Sequence, residues 1–173
     1  MQNTLYNFDY KNRVKIYILF ILLIFQTAVI LYYSSQTAAQ SAEMSRVVMS
    51  KLDWVPKSVP REKSDGSYGG ITLHFIVRKL AHMYNYFVTG CIIYAIRCYC
   101  GKELYKDIIC VSYGVFLGTA DEMFQHFVPG RSGQITDVCV DLLGTIIGYI
   151  AVYLLFSLIF LKRCVLWEQT ERK

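Results

Sequence analysis

Apolar and polar positions along the chain segregate into long blocks rather than short amphipathic stripes. Four apolar blocks stand out, at 14–33, 78–99, 107–127 and 138–161. Each runs to about 20 residues, the length at which a helix crosses roughly 30 Å of hydrocarbon. The first block has Lys15 near its entrance and otherwise only Gln26 and Thr27 as strongly polar groups. Its core is longer than a secretory h-region, so it reads as an uncleaved anchor despite the small residues Thr37, Ala38 and Ala39 beyond it. After it, 35–52 sets Met44, Val47, Val48 and Leu52 at helical spacing, followed by a connector marked by Pro56 and Pro60. The pattern predicts an all-α membrane protein, one domain over 1–173, with four transmembrane helices. A short amphipathic helix lies on the membrane surface in the first extracytoplasmic loop.

Composition narrows the function classes. Of 173 residues, 54% are hydrophobic and 18% charged, which excludes a disordered chain and a soluble enzyme with a sizeable interior. The net charge of +5 is too small and too scattered for nucleic-acid binding. Its placement sets an orientation. With four spans, Lys11, Arg13, Lys15, Arg97, Lys102, Lys106, Lys162, Arg163, Arg172 and Lys173 share one side, and the short loop opposite holds Arg131. The positive-inside rule then makes both termini cytoplasmic, although the long first loop also carries basic residues. None of the six cysteines falls in that loop, so no disulfide framework is expected, and Cys98-Tyr-Cys100 lacks zinc-site spacing.

Ionisable residues intrude on three of the four blocks at the same end. Arg78, Lys79, His82, Asn85 and Tyr86 open the second block, Asp121, Glu122, Gln125 and His126 close the third, and Asp137 and Asp141 open the fourth. Helical spacing puts Arg78, His82, Asn85, Tyr86 and Thr89 on one face, Gly114, Gly118, Asp121 and Gln125 on a second, and Asp137, Asp141, Gly144 and Gly148 on a third. The paired glycines allow close helix approach. A carboxylate facing mid-bilayer costs about 3 kcal/mol, so Asp121, Glu122 and Asp141 must be paired, protonated or hydrated.

Several readings stand side by side. Asp121 and Glu122 either fix helix register by pairing with Arg78, Lys79 or Arg131, or bind a ligand. Asp137 follows Thr136 at a helix start, where capping also explains it. Arg131, presented by a Pro129-Gly130 turn, either binds phosphate or carboxylate or pairs with Asp121 or Asp137. His82 and His126 with the carboxylates offer metal-binding groups, but without a recognised ligand spacing no metal and no cofactor is expected. No nucleophile elbow surrounds Ser34, Ser35 or Ser132.

The chain resembles the VanZ-like family of bacterial membrane proteins. The resemblance runs from Tyr17 to about Leu161 and rests on Ser34-Ser-Gln36 with Ser41 and Ser45, on Arg78-Lys-Leu-Ala-His82 with Tyr86, and on the run from Asp121 to Arg131 followed by Asp137, Asp141, Gly144 and Gly148. Asn85 stands where many similar proteins carry Glu, and Phe124 where many carry His. The resemblance implies a multi-pass protein of the bacterial cytoplasmic membrane linked to glycopeptide resistance, chiefly to teicoplanin, and it implies no reaction. The site expected from these residues comprises Arg78, Lys79, His82, Tyr86, Asp121, Glu122, Gln125, Arg131, Asp137 and Asp141. Its expected partners are the lipid bilayer and an amphiphile, either a lipid-linked cell-wall precursor or a lipoglycopeptide. The alternatives are a membrane hydrolase or transferase acting on a lipid phosphate, with His82 or His126 as acid or base, and a proton-coupled transporter. The transporter lacks a visible relay, since the other halves of the stripes are glycine and apolar.

Overall fold

A computed structural model describes residues 2–51, 73–100, 104–131 and 133–171. The described residues form five helices and no strand: α1 (Gln2–Ser34), α2 (Ala38–Ser50), α3 (Leu73–Cys100), α4 (Leu104–His126) and α5 (Ile135–Glu171). The expected connector with Pro56 and Pro60 lies outside the described residues.

Two segments, Asn12–Ser34 and Ile135–Phe160, are long and apolar enough to cross a membrane. Only 11% and 17% of their apolar windows are buried, so neither is the core helix of a soluble protein. Ile24, Phe25, Phe116, Leu158 and Phe160 all point outward. Such a broad apolar exterior is foreign to a soluble domain and ordinary for one solvated by lipid. α3 and α4 are as long as a span requires, at 28 and 23 residues, but carry more polar and charged groups.

The helix boundaries have local causes. α2 begins at Ala38, later than the apolar spacing predicts, because Thr37 and Gln40 form a capping box. The Thr37 N–H donates to Gln40 Oε1 at 2.9 Å and the Gln40 N–H to Thr37 Oγ1 at 3.4 Å, satisfying groups that a helix start leaves open. Between α4 and α5, the Arg131 N–H donates to the Val128 carbonyl at 3.1 Å, closing a turn around Pro129 and Gly130. Gly130 has φ +77°, the left-handed value that a type II turn needs at its second central residue.

Contacts define the connectivity. The C-terminal end of α1 (Ser34) meets that of α4 (Gln125), while the N-terminal parts of α3 (His82) and α5 (Asp141) meet at the same level. α1 and α4 therefore run in one direction and α3 and α5 in the other, so direction alternates along the chain while the closely packed α3 and α5 are parallel. α3 is central and packs most extensively on α5. The two can approach so closely because Gly90, Gly144 and Gly148 have no side chain. A Cβ on Gly90 would collide with the Thr145 carbonyl, and one on Gly148 with the Phe87 carbonyl. On α4, Gly114 faces the Thr145 side chain and Gly118 faces Asp141. Leu23, Ile93 and Ile96 form one small apolar cluster, and Ile30, Tyr86 and Leu117 another.

The end of the bundle away from Asp141 is tied by a separate polar contact. Arg97 donates to Asp107 through Nε at 2.6 Å and Nη2 at 2.9 Å, and the Tyr149 hydroxyl also donates to Asp107. This fork joins α3, α4 and α5. Arg97→Ala should lower stability in detergent by about 1–2 kcal/mol, between the values for exposed and buried pairs. The midpoint of thermal unfolding checks this, and the Arg97→Lys protein should recover only part of the loss because an ammonium cannot form the fork.

Candidate functional site

Three helices bring carboxylates and an imidazole to one point. Tyr86, Thr89, Asp121, Asp141 and Thr145 are at most 2% exposed. His82 Nδ1, from α3, lies 3.8 Å from Asp121 Oδ2 on α4 and 3.7 Å from Asp141 Oδ1 on α5. Gln125, one turn after Asp121, donates from its amide to Asp121 Oδ2 at 3.1 Å and to Ser34 Oγ at 3.4 Å. α1 thereby reaches the cluster through a fully buried serine that hydrophobic patterning alone leaves at the edge of a span.

The cluster is gathered but not satisfied. Both oxygens of Asp141, Asp121 Oδ1 and the Tyr86 hydroxyl are buried and have no hydrogen-bond partner in the structure. The hydroxyl faces the carboxylates of Asp121 and Asp141. Buried polar groups in folded proteins are nearly all hydrogen-bonded, which makes these atoms the ones to account for in any functional reading.

The other acidic residues have more local work. Glu122 is adjacent to Asp121 but turned around the helix, and its Oε2 accepts the Gln134 N–H at 2.9 Å, just ahead of α5. It thus places negative charge at that helix start, where the backbone dipole favours it. Asp137, in the first turn of α5, pairs with Lys79 of α3. Among the basic residues of α3 near the acids, Lys79 turns toward Asp137, while His82, three residues on, faces Asp121 and Asp141. His126 stands outside the cluster, exposed and edge-on to the Phe127 ring with centroids 5.9 Å apart.

Arg131 sits half-buried on its turn, with Nε and Nη1 lacking partners. Burial and the neighbouring Arg78 push its guanidinium below the usual value, while Asp121 and Glu122 oppose the shift. An arginine starts so far above neutral pH that it stays charged. Arg131 also lines a cavity of about 320 Å³ between α1, α2 and α3. One wall is apolar, with Ile30, Met44, Val48 and Val77, and the polar part includes Arg78, His82 and Arg131. Lys79 and the carboxylates are not on its lining.

The VanZ/LLP1 family model matches residues 17–159. The chain belongs to the VanZ-like family. No curated protein and no solved structure matches it. The VanZ match spans every residue of the cluster and of the cavity lining, from Ile30 to Asp141. Asn85, noted above as a departure from many similar proteins, accepts a hydrogen bond from the Gln26 amide on its backbone carbonyl at 3.0 Å and another on Oδ1 at 3.4 Å. In this VanZ-like chain a neutral amide pair therefore joins α1 to α3 where an acid would introduce a charge.

Proposed function

We propose that this VanZ-like protein is a four-span protein of the bacterial cytoplasmic membrane that holds an amphiphile with an anionic head in the cavity between α1, α2 and α3. The observation that carries this reading is the pairing, in one cavity, of an apolar wall with Arg78, His82 and Arg131. An acyl or isoprenoid chain suits the first surface. A phosphate or carboxylate suits two guanidinium groups, whose planar donor forks match both anions.

Four spans fit the helix lengths. α4, at 23 residues, would extend about 35 Å, and α3 is longer. Stretches 80–96 and 108–120 contain no Asp, Glu, Lys or Arg, so the charges of both helices gather toward their ends. Cytoplasmic termini follow from the basic residues that cluster opposite the Arg131 turn. The cavity then opens at the outer face, with α2 lying along the interface. Cysteines introduced beside Arg131 and beside Lys102 should be labelled from opposite sides of intact cells, and the reverse pattern overturns an extracytoplasmic cavity.

The ligand in this reading is a lipid-linked cell-wall precursor or a lipid-bearing glycopeptide, and its biological outcome is protection against teicoplanin. Expression in a sensitive host should raise the inhibitory concentration, and Arg131→Ala at equal membrane abundance should return it to the vector level. Unchanged sensitivity despite confirmed insertion removes the resistance part. Full protection by both Arg131→Ala and Asp121→Asn removes the site.

A second reading is favoured by one observation. His82 lines the cavity while its Nδ1 faces two carboxylates, the arrangement by which an imidazole is oriented and charged for acid–base work. In a hydrolase or transferase acting on a lipid phosphate, His82 would move the proton and Arg131 would stabilise charge on the phosphoryl oxygens. Purified protein that turns over an undecaprenyl or phospholipid substrate, and loses turnover as His82→Gln, would establish it. His126 is unsuited to that role because it lies outside the cluster.

A further inference from the structure

We infer that His82, Asp121 and Asp141 form a binding site for a single divalent cation. The site lies behind the cavity proposed above, but the inference does not require an amphiphile to bind there.

Geometry is the first argument. The three side chains offer one imidazole nitrogen and two carboxylate oxygens that all lie within 4.8 Å of one another. Ligand atoms about 2.0–2.2 Å from a shared ion stand roughly 3.0–4.3 Å apart, depending on the angle between them. The separations of 3.7 and 3.8 Å from His82 Nδ1 to the two carboxylates fall in that range. They are also too long for direct hydrogen bonds, so mutual hydrogen bonding does not account for the gathering of these groups.

The second argument comes from the neighbours. Tyr86 is fully buried, and its hydroxyl is aimed at the same carboxylates without a partner. Neither oxygen of Asp141 has a donor within 3.5 Å, and Asp121 accepts from Gln125 on Oδ2 while its Oδ1 has no donor at that distance. Carboxylate oxygens left without protein donors are available to a cation, while the bond from Gln125 fixes the Asp121 plane. An outer hydrogen bond to a liganding carboxylate is the usual way in which such groups are oriented.

The donor set restricts the ion. Ca²⁺ takes hard oxygen ligands, so the imidazole nitrogen makes it the poorer fit. One imidazole with two carboxylates suits Mn²⁺ or Zn²⁺ and leaves at least one coordination position for water or an anionic ligand. His82 and Tyr86 both line the cavity, so an open position on that side could meet the anionic head of the proposed amphiphile.

The competing account is a purely ionic cluster, in which a protonated His82 sits between the two carboxylates. The test uses tag-free, full-length protein in detergent, stripped with chelator and titrated with Mn²⁺ while electron paramagnetic resonance is recorded. The expected result is one Mn²⁺ per chain, displaced by Zn²⁺ and showing coupling to an imidazole nitrogen. Affinity should fall at least tenfold in Asp141→Asn and in His82→Gln, and should be unchanged in the exposed His126→Ala. Absence of stoichiometric binding by folded wild-type protein overturns the site, as does bound Mn²⁺ without nitrogen coupling. Equal affinity in Asp141→Asn, His82→Gln and wild type also overturns it. If a variant does not fold, the nitrogen coupling in the wild-type protein still decides. Arg131→Ala separates this inference from the anionic-ligand reading: it should abolish protection yet bind Mn²⁺ normally.

Discussion

Gly148→Ala should unfold in detergent at a midpoint several degrees below wild type, an effect of about 2 kcal/mol or more. The added methyl group would meet the Phe87 carbonyl on α3, and a backbone carbonyl cannot rotate away as a side chain can. Relief requires the two helices to part along the most extensive contact in the bundle. Alanine is otherwise the better helix former by up to about 1 kcal/mol, so a net loss can only come from the collision. Gly90→Ala should behave in the same way through the Thr145 carbonyl. Gly118→Ala is the contrast: its Cβ would lie 3.4 Å from the Asp141 Cβ, at ordinary contact distance, and its stability should stay within about 1 kcal/mol of wild type. Thermal unfolding of the three proteins side by side checks the prediction. Equal midpoints for Gly148→Ala and Gly118→Ala would show that α3 and α5 are not in backbone contact.

The second large effect is expected at the acid cluster. Asp121 and Asp141 are both completely buried, and the imidazole of His82 lies within 4 Å of each. Removing one partner from a buried charged group typically costs about 3–5 kcal/mol, because the remaining charge loses compensation without regaining water. His82→Ala in chelator-treated protein should fall in that range. Asp141→Asn should cost less, since it removes a charge in place of orphaning one. The double variant should be more stable than the sum of the two losses implies, with a coupling of about 1–3 kcal/mol. Strict additivity of the two losses would mean that His82 and Asp141 do not sense one another. A His82→Ala midpoint equal to wild type would mean that other groups hold the carboxylates.

Much of this arrangement is legible from periodicity alone. Thr89, Asp121, Gln125, Asp141, Gly144 and Gly148 each fall on a face that spacing assigns to the interior, and each is buried. The period of 3.6 residues dictates this once a helix is assumed, whatever its neighbours are. The identity of each ionic partner is not carried by periodicity, since it depends on the rotation of one helix against another. Lys79 and His82 are close in sequence yet reach different acids, Asp137 and the Asp121–Asp141 pair. Asp121 and Glu122 are adjacent, and about 100° of helical turn sends one into the cluster and the other to the start of α5. Gly90 escapes notice because it has no second glycine one turn away to mark it. Thr37 with Gln40 is a readable capping box that apolar spacing passes over, which is why α2 starts later than that spacing predicts. Ser34 joins the cluster only because α1 and α4 end at the same level.

Most polar atoms of the cluster are reached from α4 and α5, while the cavity is walled by α1, α2 and α3 with Arg131. His82 and Tyr86 belong to both and form a shared partition between two rooms. An occupant of the cavity, as proposed above, would sense Asp121 and Asp141 through that partition, since neither carboxylate is on the lining. A weakened grip on an occupant in Asp141→Asn would therefore report a change in the wall or in a cation held behind it, and direct side-chain contact with the occupant is to be sought at Arg78 and Arg131.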